Sequence, residues 1–302
     1  MALGWHSLAF EELLDVVLRA EDLGYAAVYV DGDVTQLPSR GDGDVLDGWT
    51  LTASLLARTE RIEIGSIRLV HHWNAAKLAQ AAATLHRIAP GRLRFLCSVG
   101  GQPEDRRFGL PFPSPGERVA WLDETLTAVR ALWRGETVTC HGRFVQLEDA
   151  KVRPVPEGGL PVEIAARGPR LLRVVAKHAD RWDVNLPPIP APVAAAAKQL
   201  ATACREHVRD PAEIERSMWI FTRPGRDPGD PSLRDEYRRL NPWFGGLAEA
   251  DLEAAIVVGD PTACRERLLT LAEELGLALP ILDLSGLDHD AARQALVRMA
   301  PR

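Results

Sequence analysis

The sequence lacks the features that mark secreted and membrane-spanning proteins. Its four cysteines are spread over 302 residues without a CxxC pair, which favours reduced, mostly buried thiols in a cytoplasmic protein. Charged residues interrupt every long apolar run, and the opening residues MALGWHSLAF contain no basic segment ahead of an apolar one. We therefore expect neither a transmembrane span nor a signal peptide.

Positive charge is also scarce. The chain has 36 Lys and Arg residues against 42 Asp and Glu residues, a net charge of −6, and no basic stripe. This balance argues against a nucleic-acid partner. With 46% hydrophobic residues and no low-complexity linker, we expect residues 1–302 to form a single large domain with a sizeable core.

Strand patterns and helical patterns alternate along the chain. Eight segments have the length and composition of buried strands, and each is followed by a helical pattern. These segments are Ala2–His6, Ala26–Val30, Ile62–Ile67, Arg92–Ser98, Val162–Ala166, Trp182–Asn185, Ile214–Thr222 and Leu279–Leu284. A hairpin over Val138–Leu147 and an irregular excursion over Arg223–Val258, before the last βα units, depart from the alternation. The pattern predicts an α/β fold of the (β/α)8 TIM-barrel type, with a doubly wound open sheet as the alternative.

The turn at Arg167–Pro169 has the composition of a phosphate site. It follows a predicted strand, and Pro169 suits the first position of a helix because its missing N–H is not needed there. The free N–H groups of that helix end, the open approach at Gly168 and the charges of Arg167 and Arg170 all favour an anion. An ordinary connecting loop is the alternative.

Several polar side chains follow predicted strands and would therefore lie at the barrel mouth. His6 could protonate or orient a substrate, or only make a hydrogen bond near the N-terminus. Asp31 and Asp33 could divide acid and base roles between them, or lie in a solvated loop. Adjacent histidines on a strand point to opposite faces, so His71 and His72 predict no metal site, although one of them can face the mouth.

Trp243 and Phe244 lie in a segment rich in Pro and Gly. They could form a lid over the substrate. They could equally anchor a long loop.

Seven segments, in this order and spacing, resemble the bacterial luciferase-like oxidoreductases, a flavin and deazaflavin group with a (β/α)8 barrel. They are Ala20–Tyr25, Asn74–Ala79, Ala83–Leu85, Gly91–Leu93, Ala131–Glu136, Ile164–Pro169 and His178–Trp182. The resemblance extends over most of the chain, and no single segment is diagnostic.

The resemblance implies that the barrel mouth binds FMN or the deazaflavin coenzyme F-420 in reduced form. Gly65, Ser66 and Ile67 resemble a bulge on the third strand that supports the ring, in some members through a non-proline cis peptide. Asp105 occupies a cofactor-contact position inside an otherwise exposed charge cluster, Glu104–Arg107. The cofactor-binding residues implied in this way are Gly32, Ser66, Ile67, Gly100, Gly101, Asp105, Ala165, Ala166, Arg167, Gly168 and Pro169.

Two residues depart from the deazaflavin-dependent sugar dehydrogenases of this group. Asp33 stands where those enzymes have a proton-transferring histidine, and Gln102 stands where they have a catalytic glutamate. An amide cannot donate or accept a proton as a carboxyl group does. A sugar-phosphate dehydrogenase is therefore not expected, and the candidate catalytic residues are His6, Asp33, His72 and Gln102.

The favoured function is hydride transfer between F-420 and a small imine or enone. One alternative is a monooxygenase that uses O2 and FMNH2, with the FMNH2 supplied by a separate flavin reductase. The other is a non-catalytic relative that only binds a flavin. The resemblance, and the apolar faces of the helices at Trp49–Arg58 and Asn74–Ile88, also suggest a homodimer.

Overall fold

The computed structural model describes residues 1–4, 8–34, 39, 44–100, 103–244 and 246–301. Its strands, in chain order, are β1 (Ala2–Gly4), β2 (Ala27–Val30), β3 (Glu63–Leu69), β4 (Leu93–Ser98), β5 (Val138–His141), β6 (Gln146–Ala150), β7 (Val162–Ala166), β8 (Arg181–Val184), β9 (Glu215–Pro224), β10 (Ile256–Gly259) and β11 (Leu279–Asp283). Its helices are α1 (Phe10–Asp22), α2 (Gly48–Arg58), α3 (Ala75–Ile88), α4 (Pro115–Trp133), α5 (Pro169–His178), α6 (Pro190–Glu206), α7 (Ser232–Leu240), α8 (Glu249–Ala255), α9 (Pro261–Leu275) and α10 (His289–Met299).

Eight parallel strands close into a barrel in the order β1-β2-β3-β4-β7-β8-β9-β11, and β11 pairs back with β1. These are the eight strands that the sequence predicts. Because the ring of pairings is closed, the doubly wound open sheet is excluded. Helices lie between consecutive strands, so the fold is a (β/α)8 TIM barrel, and its strands end together at one rim, where such barrels bind ligands.

Both predicted departures from the repeat are present. Strands β5 and β6 form the antiparallel hairpin. The excursion after β9 is more regular than its Pro and Gly content suggests, because it contains α7, α8 and β10, and β10 pairs in parallel with β9 outside the closed barrel. The sequence did not reveal these three elements, because each is ten residues or shorter and the periodicity that reveals longer elements is weak at that length.

The predicted bulge on the third strand is wrong. Strand β3 pairs with β4 in continuous register from Ile64 to Leu69, and Arg153–Pro154 is the cis peptide bond among the described residues. Gly65 has a different reason for being glycine. A Cβ there would lie 2.9 Å from the Cβ of Arg94 and 2.9 Å from Cδ1 of Tyr29, so the missing side chain makes room for two large side chains inside the barrel.

Glu163 is the centre of a polar network inside the barrel. It is completely buried and accepts hydrogen bonds from the hydroxyl of Tyr29 at 2.8 and 3.0 Å, from Nε of Arg94 at 3.0 Å and from Oγ of Ser217 at 2.6 Å. Arg94 also donates to Glu63 at 2.8 Å. A buried carboxylate with this many donors is satisfied as the ion, and the network supports the floor of the cleft above it.

Candidate active site at the barrel mouth

A cleft opens at the carboxyl ends of the barrel strands. Its lining combines strand ends on several sides of the barrel with the segment after β9. The polar lining residues are Asp31, Asp33, Ser98, Asp183, Asn185, Asn241 and Asp283, and the aromatic ones are Trp219, Phe221, Tyr237, Trp243 and Phe244. The cleft is thus placed where a TIM barrel holds its active site.

The charge of the cleft has one sign. Four aspartates line it, and no Lys, Arg or His stands among its lining residues within the described part of the chain. Asp31 orders the turn after β2, because its Oδ1 accepts the backbone N–H groups of Gly32 at 2.8 Å and Asp33 at 3.3 Å. Asp283 accepts a hydrogen bond from the backbone N–H of Ser285 at 3.0 Å. Such a lining favours a cationic or hydrogen-bond-donating ligand over an anion.

Asp183 differs from the other acidic residues of the cleft. Only 3% of the residue is exposed to solvent. Its Oδ1 has no hydrogen-bond partner among the described residues. Burial, followed by the nearby charge of Glu163, raises the pKa of Asp183 well above its ordinary value. The neutral acid is therefore the favoured form in the folded protein.

The floor of the cleft is apolar. Ile67, Ala165 and Trp219 line it and pack against the cluster inside the barrel that contains Tyr29. The rings of Trp219 and Tyr29 are 5.7 Å apart and tilted. An apolar surface that includes an indole ring suits an aromatic ring system.

The turn before α5 has the geometry that the sequence predicts. Gly168 is the N-cap residue, no side chain caps the helix, and Pro169 begins it. Arg167 and Arg170 are exposed, and a Cβ at Gly168 would meet nothing within 4 Å. The first N–H groups of α5 are therefore open to an anion from solvent, and the residues present fit a phosphate.

Some of the residues that the family resemblance implies line the cleft, and others do not. Asp33, Ile67 and Ala165 line the cleft. Ser66 and Ala166 do not, because strand side chains alternate between faces: Oγ of Ser66 makes a 2.8 Å hydrogen bond with Oγ1 of Thr52 on α2. Any contact of these two residues with a cofactor must come from their backbone, so their cofactor-binding role stays a prediction.

Three predicted residues fall outside the described part of the chain. They are His6, Gly101 and Gln102. Gly100 is described and exposed, and its N–H donates to Oγ of Ser98, a cleft residue, at 3.0 Å.

The interpretation of His71 and His72 is corrected by the structure. They lie in a 3-10 turn over Val70–His72 and not on a strand, so both rings point towards Asp105, and ligand atoms of the three residues lie within 4.8 Å of one another. Asp105 is fully buried, not exposed as its charged neighbours suggested. Burial lowers the pKa of His71 to about 3 and also lowers the pKa of His72, so both imidazoles are neutral.

Trp243 and Phe244 divide the two roles proposed for them. Phe244 packs on the cluster of Phe221, Tyr237 and Leu252, which is the anchoring role. Trp243 is 43% exposed and lines the cleft, as a lid residue would. Their rings meet edge to face at 6.1 Å.

Residues 3–230 match the protein family described as luciferase-like monooxygenase. That match covers about three quarters of the sequence. The chain belongs to this family. The barrel and the cleft of this chain can therefore be compared with those of relatives in the same family.

Similar curated proteins are called F-420-dependent glucose-6-phosphate dehydrogenase. The one from Amycolatopsis mediterranei is 35% identical over 177 residues, which are 56% of this chain and 50% of the relative. The one from Microbacterium testaceum is 32% identical over 173 residues, 57% of this chain and 51% of the relative. The chain thus matches about half the length of these relatives.

Solved structures of luciferase-like enzymes share the fold over nearly the whole chain. An F-420-dependent secondary alcohol dehydrogenase in complex with an F-420–acetone adduct has a TM-score of 0.82 at 19% identity, with 99% of this chain and 98% of that chain covered. A monooxygenase from Streptomyces bottropensis has a TM-score of 0.78 at 21% identity, with 96% and 91% covered. Within the described part of this luciferase-like chain, no helix combines the length and apolarity needed to cross a membrane.

Sequence reasoning did not single out several residues that line the cleft of this luciferase-like chain. Asp183 is the most informative of them. It lies within the short strand RWDV, three of whose four residues are buried. A carboxyl group inside a predicted strand is the kind of outlier that marks a site. Trp219 and Phe221 left no such signal, because aromatic residues in a buried strand are typical of any core.

Proposed function

We propose that this protein is an oxidoreductase that transfers hydride between the deazaflavin coenzyme F-420 and a small substrate with a C=N or conjugated C=C bond. The observation that carries the proposal is the acidic, aromatic cleft over an apolar floor. Asp31, Asp33 and Asp283 favour a substrate with a basic nitrogen, and an imine has one. The bound coenzyme would supply the hydride, while the barrel positions the ring and excludes water.

Two regions of the described structure would bind different parts of the coenzyme. The floor formed by Ile67, Ala165 and Trp219 would hold the ring. The turn at Arg167–Pro169 and the side chain of Arg170 would hold the phosphate, since the helix end there is uncapped and its approach is open. The coenzyme's own negative charge would then lie outside the acidic cleft.

Glucose 6-phosphate is not the proposed substrate, although similar curated proteins act on it by name. A phosphate group inside the cleft would face the carboxylates of Asp31, Asp33 and Asp283 and no basic side chain among the described lining residues. Repulsion of that kind costs affinity at short range. The replacement of the expected histidine by Asp33 agrees with this change of substrate.

An FMN-dependent monooxygenase is the second candidate. The family name and the fold shared with solved monooxygenases support it. It would need a separate flavin reductase as a partner. A homodimer is also proposed, from the family resemblance alone, because the apolar faces of α2 and α3 pack inwards against the barrel in this structure. A cytoplasmic location is proposed from the four cysteines, which include no CxxC pair.

Titration with F-420 and, in parallel, FMN, each oxidised and reduced, tests the cofactor. We expect tight binding of F-420, and weakening by about tenfold or more in the double variant R167A/R170A, because two charges near the phosphate are lost. Arg173→Ala on the same helix is the matched control: Arg173 is exposed and pairs only loosely with Glu206 at 3.8 Å, so affinity should not change. Tight binding of reduced FMN alone would favour the monooxygenase, and binding of neither would refute the cofactor assignment.

A further inference from the structure

We propose that Asp183 is the catalytic acid of this enzyme: as a neutral carboxylic acid, it donates a proton to the substrate in the step in which the substrate carbon accepts hydride. The inference rests on the proposed function. It supplies the proton donor that is missing when Asp33 and Gln102 replace the usual histidine and glutamate.

The fold holds Asp183 at the reacting end of the barrel. It is the third residue of β8 and pairs with Ala165 on β7 and with Ser217 on β9. Paired residues of parallel strands face the same side, so Asp183 faces the barrel interior beside Ala165, which also lines the cleft. The preceding Trp182 points the other way and donates its indole N–H to the carbonyl oxygen of Ala166 at 2.9 Å.

Arg94 is the cation whose charge acts on Asp183, and it lowers the pKa of Asp183 by less than burial and Glu163 raise it. Arg94, the buried cation nearby, forms its ion pairs with Glu163 and Glu63 at 3.0 and 2.8 Å. The hydroxyl groups of Tyr29 and Ser217 also donate to Glu163. Glu163 is therefore satisfied as a carboxylate, and its negative charge opposes ionisation of Asp183.

Burial acts in the same direction as that charge. Together they raise the pKa of Asp183 well above its usual value, and the carboxylates of Asp31, Asp33 and Asp283 lie in the same cleft. A carboxyl group kept neutral near pH 7 can donate a proton where an ordinary aspartate cannot.

Two of the other cleft aspartates are less suited to this role. Asp31 accepts two backbone N–H groups and Asp283 accepts those of Ser285, so both are held as acceptors. Asp183 has an oxygen, Oδ1, without a hydrogen-bond partner in the described part of the chain, and Nδ2 of Asn241 in the same cleft is also unpaired there. A substrate that accepts a proton from Asp183 and a hydrogen bond from Asn241 would satisfy both groups.

The proposed step balances in atoms and electrons. The bound coenzyme, as the anion of its reduced form, would supply hydride to the carbon of an imine C=N bond, and the π electron pair of that bond would move to nitrogen. That nitrogen takes the proton of Asp183, so the products are an amine, the oxidised coenzyme and the Asp183 carboxylate. A proton from solvent then restores the acid. In the reverse direction Asp183 acts as the base.

Infrared spectroscopy tests the protonation of Asp183 without cofactor or substrate. We expect the cofactor-free protein at pH 7 to show the carbonyl stretch of a protonated, buried carboxylic acid, which disappears in Asp183→Asn and persists in the surface control Asp22→Asn. Absence of that band from the wild-type protein at pH 7 would overturn the proposal, whatever the cofactor proves to be.

Kinetics test the role of the proton. In Asp183→Asn we expect F-420 affinity within about threefold of wild type and kcat lower by about 10²–10⁴-fold, the range for a lost general acid. Asp183→Glu, which keeps the acid, should recover part of the activity and shift the pH profile. Unchanged kcat and pH profile in a folded Asp183→Asn would refute the inference, whereas failure of the wild type to bind F-420 would refute the proposed function and leave the infrared result standing.

Discussion

The α-carbon of Gly32 lies directly against the carbonyl oxygen of Ile67, so closely that any Cβ at position 32 would overlap that oxygen. On its other side the same turn is pressed against α2, where a Cβ at Gly48 would overlap the carbonyl oxygen of Asp31. Two cleft residues, Asp31 and Ile67, are thus held together by backbone contacts that only glycine permits. Gly32 has a packing reason for its identity, independent of any cofactor.

The variant Gly32→Ala should therefore lose stability and distort the cleft. The atom in the way belongs to the backbone and cannot rotate aside, so we expect the free energy of unfolding to fall by about 1–3 kcal/mol. Urea denaturation followed by circular dichroism measures this. Gly168→Ala is the matched control, because its Cβ would meet nothing within 4 Å, and an equal loss there would contradict the explanation.

The ion pair between Arg94 and Glu163 predicts a second stability effect. Arg94→Met leaves the completely buried Glu163 without its cation and close to Asp183, and removal of one partner of a buried pair typically costs about 3–5 kcal/mol. Arg87→Met is the control: its partner Glu157 and Arg87 itself are mostly exposed, so a change below about 1 kcal/mol is expected.

Asp123 predicts a dependence of stability on pH. The 2.7 Å hydrogen bond from Nε2 of His178, together with Lys177, lowers the pKa of Asp123 to about 2. A carboxyl group with a lowered pKa stabilises the folded state above its ordinary pKa of 3.8, and that contribution disappears as pH falls towards 2. Asp123→Asn should therefore melt at a lower temperature than wild type at pH 7, and the difference should shrink between pH 4 and pH 2. A constant difference over that range would contradict the assignment.

The eight barrel strands could be predicted because each is a short apolar run between helices with clear 3.6-residue periodicity. The order of elements then determined the barrel and the end at which the cleft lies. The same reasoning found Asp33 of the cleft and the turn at Arg167–Pro169, and the family resemblance added Ile67 and Ala165. Position at a strand end was thus enough to place a residue near the cleft.

The remaining parts of the site depend on three-dimensional packing that no short window contains. The argument on His71 and His72 assumed a strand, whereas the two residues lie in a 3-10 turn and both face Asp105. The raised pKa of Asp183 comes first from its burial in the closed barrel and then from the charge of Glu163, which is 20 positions away in the sequence and pairs with Arg94 from another strand. Charge states of buried groups are set by such neighbours, so they become predictable only once the barrel has closed.

Trp243 and Phe244 should respond differently to truncation, because one is exposed at the cleft and the other packs into a core cluster. In Trp243→Ala we expect unchanged F-420 affinity and unchanged stability, but a KM for the substrate raised about tenfold, the effect of losing one apolar contact of about 1–3 kcal/mol. In Phe244→Ala we expect the free energy of unfolding to fall by about 1–3 kcal/mol, because its packing against the buried cluster that contains Phe221 and Tyr237 is lost. Steady-state kinetics and denaturation of both variants check this. If Trp243→Ala also lost stability while its KM stayed at the wild-type value, Trp243 would be a second anchor of the loop and the cleft would have no lid at this position.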